Sequence, residues 1–382
     1  MFSETIKAIR AINRKPEGFL PLHAPYFGGN EKKYLADTID STFVSSVGAY
    51  VTKFEEMIQE RTGSKFAIAA TNGTIALHLA LVVAGVKAGD EVITQSLSFV
   101  ATANAIVHAQ GTPVFLDVDQ DTMGLSAKSL ETFFINYTIQ KPDGCYNKLT
   151  GKRIGACVPM HTFGLPLRIT EIRKICNSYN IPVIEDAAES IGSYSQGKHT
   201  GNFGLMGVFS FNGNKTITCG GGGVLITNDE KMAKKARHLS TTAKIPHPWE
   251  FDHDEIGFNY RMPNLNAALA CAQLEQLDKF LKDKQILSEQ YQKYFDKSDF
   301  TYISGINDTK PNYWLNCILC KDKDHRDGFL KATNENGVMT RPAWKLNHQL
   351  PMYRHCYSDE QVNAEWLADR IVNIPSSFRE AV

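Results

Sequence analysis

Short runs of apolar and β-branched residues alternate with helical patterns between Lys65 and Thr227. Runs of about five such residues are typical of strands, and the longer amphipathic segments between them are typical of helices. A repeated strand–helix order predicts a mainly parallel sheet sandwiched by helices. The predicted strands are Phe66–Ala70, Glu91–Gln95, Pro113–Asp117, Ile154–Met160 and Val183–Glu185, and the predicted helices begin at Thr74, Ala101 and Ile169.

The pattern changes near Pro263, where apolar residues recur at helical spacing from Leu265 to Phe295 and predict one long helix. The rest of the chain predicts a short α+β arrangement. We therefore expect two domains, with an N-terminal arm and a large domain in residues 1–260 and a small C-terminal domain in residues 261–382. The elements predicted for the small domain are Tyr313–Leu319, Arg326–Asn334, Val338–Thr340 and Val362–Arg370.

Composition and charge exclude several classes of protein. The 382 residues are 43% hydrophobic and carry 41 basic and 41 acidic side chains, so no uniform basic surface attracts nucleic acid or an acidic membrane. No run approaches the roughly 18 consecutive apolar residues of a membrane span, and the first 22 residues lack the apolar core of a signal peptide. These features predict a soluble cytoplasmic protein.

The eight cysteines are scattered along the chain. The one close pair, Cys317 and Cys320, lies in an apolar run and has no second pair nearby to complete a zinc site. We expect free structural thiols and no metal site.

Polar segments follow the predicted strands, at the edge of an open α/β sheet where ligands bind. Thr71–Thr74 contains Gly73 and opens a helix, which favours a phosphate at the free backbone N–H groups. Asp186 follows a buried strand, and a buried carboxylate requires a cationic partner such as a protonated pyridine nitrogen. A helix N-cap is the simpler interpretation of either segment when each is taken alone.

A third segment, Phe209–Lys215, leads from apolar residues into a polar turn with one lysine, and Gly220–Gly223 follows it. An amine that attacks an aldehyde must lose its proton, and burial among apolar neighbours lowers the pKa of a lysine towards that state. Taken alone, Lys215 also fits an ordinary solvated loop lysine. The glycine run lacks the pattern of a P-loop or a dinucleotide fingerprint.

The order of these motifs resembles the DegT/DnrJ/EryC1/StrS sugar aminotransferase family. The resemblance covers the chain from about Leu20 to its end, and it implies an α/β fold of the pyridoxal-phosphate-dependent transferase type I, similar to aspartate aminotransferase. It also implies a homodimer in which both subunits build each active site. The segments that carry it are Thr71–Thr74, Ser98–Asn104, Glu185–Ala188, Ser210–Lys215 and Gly257–Met262.

The resemblance implies a role for four residues around the ring of pyridoxal 5′-phosphate. Lys215 holds the cofactor as a Schiff base and shuttles the proton. Asp186 pairs with the pyridine nitrogen, Phe99 stacks on the ring, and Glu189 contacts the ring face or the phenolic oxygen. Relatives that dehydrate deoxysugars have histidine in place of the lysine, so Lys215 favours amino transfer.

The resemblance also implies a set of phosphate contacts. Gly73, Thr74 and Ser210 hold the phosphate within one subunit, and Asn259 reaches the phosphate of the partner subunit. Asn212 is a departure, since many members of the family have histidine at that position, and the contacts of that histidine are not expected here.

Further runs are similar to the branch of the family that serves the legionaminic acid and bacillosamine pathways. This similarity implies glutamate as the amino donor and a UDP-linked 4-keto-6-deoxy-N-acetylhexosamine as the acceptor, for surface glycan or nonulosonic acid synthesis. A 3-keto or GDP-linked acceptor stays open, as does a regulatory protein that binds the cofactor or a sugar nucleotide without turnover. The runs are His23–Glu31, Ser41–Gly48, Met160–Gly164, Asn312–Asn316 and Met339–Pro342.

Overall fold

A computed structural model describes residues 2–380 and places seven strands in one twisted sheet. The order across the sheet is β3-β2-β4-β5-β6-β7-β1, with β4 joined to β5 by two parallel bridges. Only β7 is antiparallel to its two neighbours, so the prediction of a mainly parallel sheet is confirmed. The strands are β1 (Phe66–Ala70), β2 (Glu91–Gln95), β3 (Thr112–Leu116), β4 (Ile154–Val158), β5 (Ile184–Asp186), β6 (Met206–Ser210) and β7 (Gly223–Thr227).

Helices α3 to α9 cover both faces of this sheet, and other helices pack in a smaller core. The helices of the described residues are α1 (Ser3–Ile12), α2 (Glu31–Asp40), α3 (Ala49–Thr62), α4 (Gly73–Val83), α5 (Ala101–His108), α6 (Ala127–Tyr137), α7 (Ile169–Ser178), α8 (Glu230–Ser240), α9 (Asn264–Leu274), α10 (Leu277–Phe295), α11 (Lys323–Glu335) and α12 (Val362–Ala368). Successive side chains of a strand point to opposite faces, so Ile68 of β1 packs against α4, whereas Ala69 packs among residues of α3 and α9. The sheet is apolar on both faces because both are covered.

The C-terminal part of the chain forms a second, smaller core. Its four strands lie in the order β8-β9-β11-β10 and are all antiparallel, with α10, α11 and α12 packed against them. This arrangement is the predicted small α+β unit. The strands are β8 (Thr301–Tyr302), β9 (Asn316–Leu319), β10 (Arg341–Pro342) and β11 (Ile371–Ile374).

The prediction of one long helix from Leu265 to Phe295 is wrong. The chain forms α9 and α10, which are separated at Glu275 and Gln276. The break has no sequence signal, because both residues favour helices. It arises from packing, since α9 lies against the large sheet and the C-terminal half of α10 lies in the small core.

The N-terminal helix α1 also packs in the small core, where Ile6 and Ile9 lie with Leu287 and Phe329. The division of the chain between residues 260 and 261 remains a prediction. The helix α1 precedes that boundary in sequence, although it packs with residues that follow it.

All eight cysteines are free, and every one except Cys356 is buried. Along residues 2–380, no helix is both long enough and apolar enough to span a bilayer.

Candidate active site

The polar segments predicted at the ligand edge lie together at the carboxyl ends of β1, β5 and β6. The side chain of Asn72 caps α4 by accepting a hydrogen bond from the backbone N–H of Ile75 at 2.9 Å. The first turn of α4 therefore begins directly after β1, with N–H groups that have no partner inside the helix. Such a helix N-terminus is suited to binding a phosphate.

Two glycines allow close packing of the backbone next to this helix N-terminus. A Cβ atom on Gly73 would lie 2.9 Å from the Cβ of Ser210, and one on Gly223 would lie 2.4 Å from the carbonyl of Asn72. Only glycine allows the turn and the two strands to approach so closely. The hydroxyl of Thr71 is buried beside them and has no hydrogen-bond partner among residues 2–380. The residues present fit a phosphate group at this position.

Asp186 lies at the end of β5 and is buried. Its Oδ2 accepts a hydrogen bond from the hydroxyl of Thr102 at 2.7 Å, and its Oδ1 accepts one from the backbone N–H of Ala188 at 3.1 Å. Burial raises the pKa of Asp186, although these two hydrogen bonds and the charges of Lys215 and His161 oppose the shift. A protonated pyridine nitrogen would supply the cation that this carboxylate needs.

Lys215 and Glu189 form an ion pair, with 3.1 Å between Nζ and Oε1. Their side chains are 12% and 1% exposed, so Lys215 is not a solvated loop lysine. Burial raises the pKa of Glu189 to about 7, and Lys215 together with the backbone N–H of Phe163 opposes the shift. A carboxyl group with that pKa can bind and release a proton near neutral pH. It lies within hydrogen-bond distance of the amine that would attack an aldehyde.

One aromatic ring lies next to the lysine, and another lies exposed after β2. The Nζ of Lys215 is 4.0 Å from the ring centroid of Trp314. Phe99, in the loop before α5, is 49% exposed and lies 6.1 Å from the ring of Trp344. An exposed phenyl ring at the ligand edge of the sheet is available to stack on a planar ligand.

The chain brings most of the predicted site residues together. Gly73 and Ser210 are buried and in contact, Thr74 is partly buried beside them, and Asp186 and Glu189 lie close enough to Lys215 for its charge to affect the pKa of each.

Asn259 is the residue that the single chain does not bring into this group. Its backbone pairs with Thr241, and its neighbour Tyr260 accepts a hydrogen bond from the backbone N–H of Thr71. The side chain of Asn259 is exposed.

Thr102 and Trp314 belong to the site, but they were not assigned a role from the sequence. Both lie in motifs that carry the family resemblance, Ser98–Asn104 and Asn312–Asn316. Thr102 lies 84 residues from Asp186 along the chain, and Trp314 is 99 positions beyond Lys215. Their contacts depend on the packing of distant segments, which residue spacing does not reveal.

A lysine amine, a carboxylate for a ring nitrogen and a phosphate-binding turn are what an aldehyde cofactor of the pyridoxal type requires from a protein. The class defined by this fold and site is that of the pyridoxal-phosphate-dependent enzymes. The DegT/DnrJ/EryC1/StrS aminotransferase family matches residues 25–379, and the chain belongs to this family. The protein is a pyridoxal-phosphate-dependent sugar aminotransferase.

Similar proteins match the chain over almost its full length. GDP-perosamine synthase of Escherichia coli O157:H7 is 36% identical over 358 residues, which is 94% of this chain and 93% of that protein. GDP-perosamine synthase of Vibrio cholerae is 35% identical over 338 residues, 88% of each chain. The crystal structure of a DegT DnrJ EryC1 StrS aminotransferase from Brucella abortus has a TM-score of 0.83 and 25% identity, and the match covers 91% of this chain and 90% of that chain.

Proposed function

We propose that this protein transfers an amino group from glutamate to C4 of a GDP-linked 4-keto-6-deoxyhexose. The observation that carries the amino-transfer step is the buried pair of Lys215 and Glu189 beside Asp186. The GDP-linked acceptor is supported by the two relatives from Escherichia coli and Vibrio cholerae, which are named for GDP-perosamine synthesis. Perosamine is a 4-amino-4,6-dideoxyhexose, so its synthesis by amino transfer starts from the 4-keto sugar.

This acceptor replaces the UDP-linked N-acetyl sugar expected from the sequence motifs. Those motifs are short runs along the chain, and the preference for a nucleotide depends on the shape of a pocket that such runs do not define. The ketone and the amino-transfer chemistry are the same for both sugars. The proposals therefore differ in the sugar nucleotide alone.

When bound, pyridoxal phosphate supplies an electron sink and a carrier for the amino group. In this proposal, Lys215 would hold the cofactor and would move the proton at the reacting carbon. Asp186 would keep the ring nitrogen protonated, and Phe99 would hold the ring plane. Glu189 would exchange a proton with the Nζ of Lys215. Gly73, Thr74 and Ser210 would hold the phosphate.

We further propose a homodimer in which Asn259 completes the phosphate site of the partner. The side chain of Asn259 supports this, since it is exposed and makes no hydrogen bond with the described residues of its own subunit. Exposed apolar side chains in two loops also support it, because contiguous exposed apolar residues are typical of interfaces. These residues are Phe43, Val44, Val47, Trp249, Phe251 and Ile256.

The dimer is tested by mixing two variants that are each impaired, Lys215→Ala and Asn259→Ala. A mixed dimer contains one site with both native residues, so activity is recovered on mixing if the sites are shared. Equal activity before and after mixing, with proven subunit exchange, contradicts a shared site.

The activity is tested with glutamate and three acceptors: GDP-4-keto-6-deoxymannose, the UDP-linked 4-keto-6-deoxy-N-acetylhexosamine and a 3-keto sugar nucleotide. We expect an aminated product from the GDP sugar, detected by mass spectrometry, and none from Lys215→Ala. Product from the UDP-linked or 3-keto sugar alone would overturn the GDP assignment. If glutamate leaves the absorbance of the bound cofactor unchanged, a binding protein without turnover becomes the better explanation.

A further inference from the structure

Lys284 is a buried lysine of α10, with 1% of its surface exposed. Along residues 2–380 it forms no ion pair, since the adjacent carboxylate of Asp283 pairs with Arg379. Burying a cation costs free energy unless hydrogen bonds compensate for the lost water. An apolar side chain would fill this position without that cost. The lysine therefore calls for a role beyond filling the core.

The ammonium group of Lys284 binds backbone carbonyls. Its Nζ donates to the carbonyls of Tyr313 at 3.3 Å, Trp314 at 3.2 Å and Ser376 at 2.6 Å. An ammonium group has three N–H donors, one for each of these carbonyls. Lys284 therefore joins three parts of the chain: α10, residues 313–314 and the segment that follows β11.

Residues 312–314 have a backbone that needs such support. Tyr313 has a φ of +48°, in the left-handed region that bulky residues rarely adopt. A backbone of this kind persists where the surrounding contacts hold it. On one side, Nδ2 of Asn312 donates to the carbonyls of Glu189 at 2.8 Å and Ile191 at 2.9 Å. Lys284 holds the other side, so the segment is fixed between two parts of the chain.

The same segment carries the aromatic ring that contacts Lys215. The ring centroid of Trp314 lies 4.0 Å from the Nζ of Lys215, and the indole N–H donates to the carbonyl of Asn214 at 2.6 Å. Lys284 binds the main chain of Trp314, and the side chain of Trp314 contacts Lys215. Two direct contacts therefore connect the buried lysine with the amine of the active site.

We propose that Lys284 is a positioning residue that acts through Trp314 to hold the amine of Lys215 in place for proton transfer. This role rests on the proposed function of Lys215, but not on the identity of the keto sugar. Lys284 acts on the protein rather than on the substrate. Its loss should therefore lower the rate of the reaction and leave the binding of glutamate unchanged.

The test follows the glutamate half-reaction, which is the change in absorbance of the bound cofactor when glutamate is added. Methionine has about the length of lysine but no donor. We expect Lys284→Met to lower the maximal rate about 10-fold, with an unchanged half-saturating concentration of glutamate. Lys284→Arg keeps a cation with several N–H donors and should recover part of the rate. Lys282 is exposed on the same helix, so Lys282→Met should behave as wild type.

A double-mutant cycle tests whether Lys284 acts through the tryptophan. In a Trp314→Leu background the ring is absent, so the further change Lys284→Met should lower the rate by less than about 2-fold. Two residues that act independently would instead give the product of their separate losses. This difference separates positioning of the amine from a general loss of packing, which would lower the rate in either background.

Hydrogen exchange of the cofactor-free protein gives a second measurement that does not depend on activity. The backbone N–H of Trp314 donates to Oδ1 of Asn312 at 2.9 Å. Without Lys284 this segment is held on one side only, so the amide of Trp314 should exchange faster in Lys284→Met than in wild type. The increase should be larger than for the amides of β1, which report on unfolding of the large sheet.

Three outcomes would overturn the role of Lys284: a wild-type rate in Lys284→Met, independent losses in the double variant, or unchanged exchange at Trp314. If Lys284→Met does not fold, Lys284→Gln replaces it in every comparison, since it keeps two of the three N–H donors. If glutamate leaves the cofactor absorbance of the wild type unchanged, the proposed function itself fails, and the role of Lys284 in the reaction fails with it.

Discussion

The Nζ atom of Lys215 lies 4.0 Å from the ring centroid of Trp314, so the catalytic amine rests on the face of an indole. The indole N–H of Trp314 also donates to the backbone carbonyl of Asn214 at 2.6 Å. The tryptophan thus contacts both the side chain of Lys215 and the loop that carries it. Interactions of a cation with an indole face contribute about 0.5–2 kcal/mol.

Replacing Trp314 should slow turnover without removing the lysine. We expect Trp314→Leu to lower kcat by about 10-fold, since 1.4 kcal/mol corresponds to a factor of ten. Trp314→Phe keeps an aromatic face and loses the N–H, so its loss should be smaller. The measurement is kcat together with cofactor content. A wild-type kcat in Trp314→Leu would show that the ring does not position Lys215.

The hydrogen bond from Thr102 to Asp186 should set the acidic limb of the pH profile. A donor to a carboxylate lowers its pKa, so Thr102→Val should raise the pKa of Asp186 and move the acidic limb of kcat to higher pH. Because a hydrogen bond to a charged group contributes about 1.5–3 kcal/mol, kcat near neutral pH should fall at least about 10-fold. Thr170→Val is the matched control, since the hydroxyl of Thr170 pairs with Gln196 at the surface. An unchanged acidic limb in Thr102→Val is the contradicting result.

Glu189 should make the cofactor-free protein less stable as the pH rises towards neutrality. Burial raises the pKa of Glu189 from 4.5 to about 7, so between these values the folded chain binds more protons than the unfolded chain. Its contribution to stability is present below pH 4.5 and is lost as the pH rises through 7, with a slope of up to roughly 1.4 kcal/mol per pH unit. Glu189→Gln removes this slope. Urea unfolding of both apoproteins from pH 4.5 to 7.5 measures the difference, and parallel curves would show that the pKa is not raised.

Much of the large domain was predictable, because its strands are short apolar runs with polar ends. The strands at Phe66–Ala70 and Glu91–Gln95 have the predicted bounds. The strand predicted at Val183–Glu185 is shifted by one residue, to Ile184–Asp186, and the one at Ile154–Met160 ends at Val158. Apolarity continues past these ends into buried turns, so it does not mark where the hydrogen-bonded ladder stops.

The site was predictable in part for a different reason. Lys215, Asp186 and the turn at Gly73 lie at strand ends, where topology alone brings them to one edge of the sheet. The contacts of Trp314 with Lys215 and Asn214, and those of Lys284 with Trp314 and Ser376, arise instead from the packing of segments that are distant along the chain. No pattern along the chain specifies that geometry. The break between α9 and α10 has the same origin.

Lys284 should give the opposite dependence of stability on pH from that of Glu189. Its Nζ is buried and donates to the backbone carbonyls of Tyr313, Trp314 and Ser376. Burial lowers the pKa of Lys284 from 10.5 to about 7. Between these values the unfolded chain binds more protons than the folded chain, so the contribution of Lys284 to stability increases with pH, by up to roughly 1.4 kcal/mol per pH unit.

Unfolding of wild type, Lys284→Met and Lys282→Met in urea at pH 7 to 9.5 separates this effect from general loss of charge. Lys282 is exposed on the same helix, so its variant should follow the wild-type curve. The difference in unfolding free energy between wild type and Lys284→Met should grow with pH. A difference that stays constant would mean that Lys284 remains protonated throughout this range, because the three carbonyls then stabilise the ammonium group enough to offset its burial.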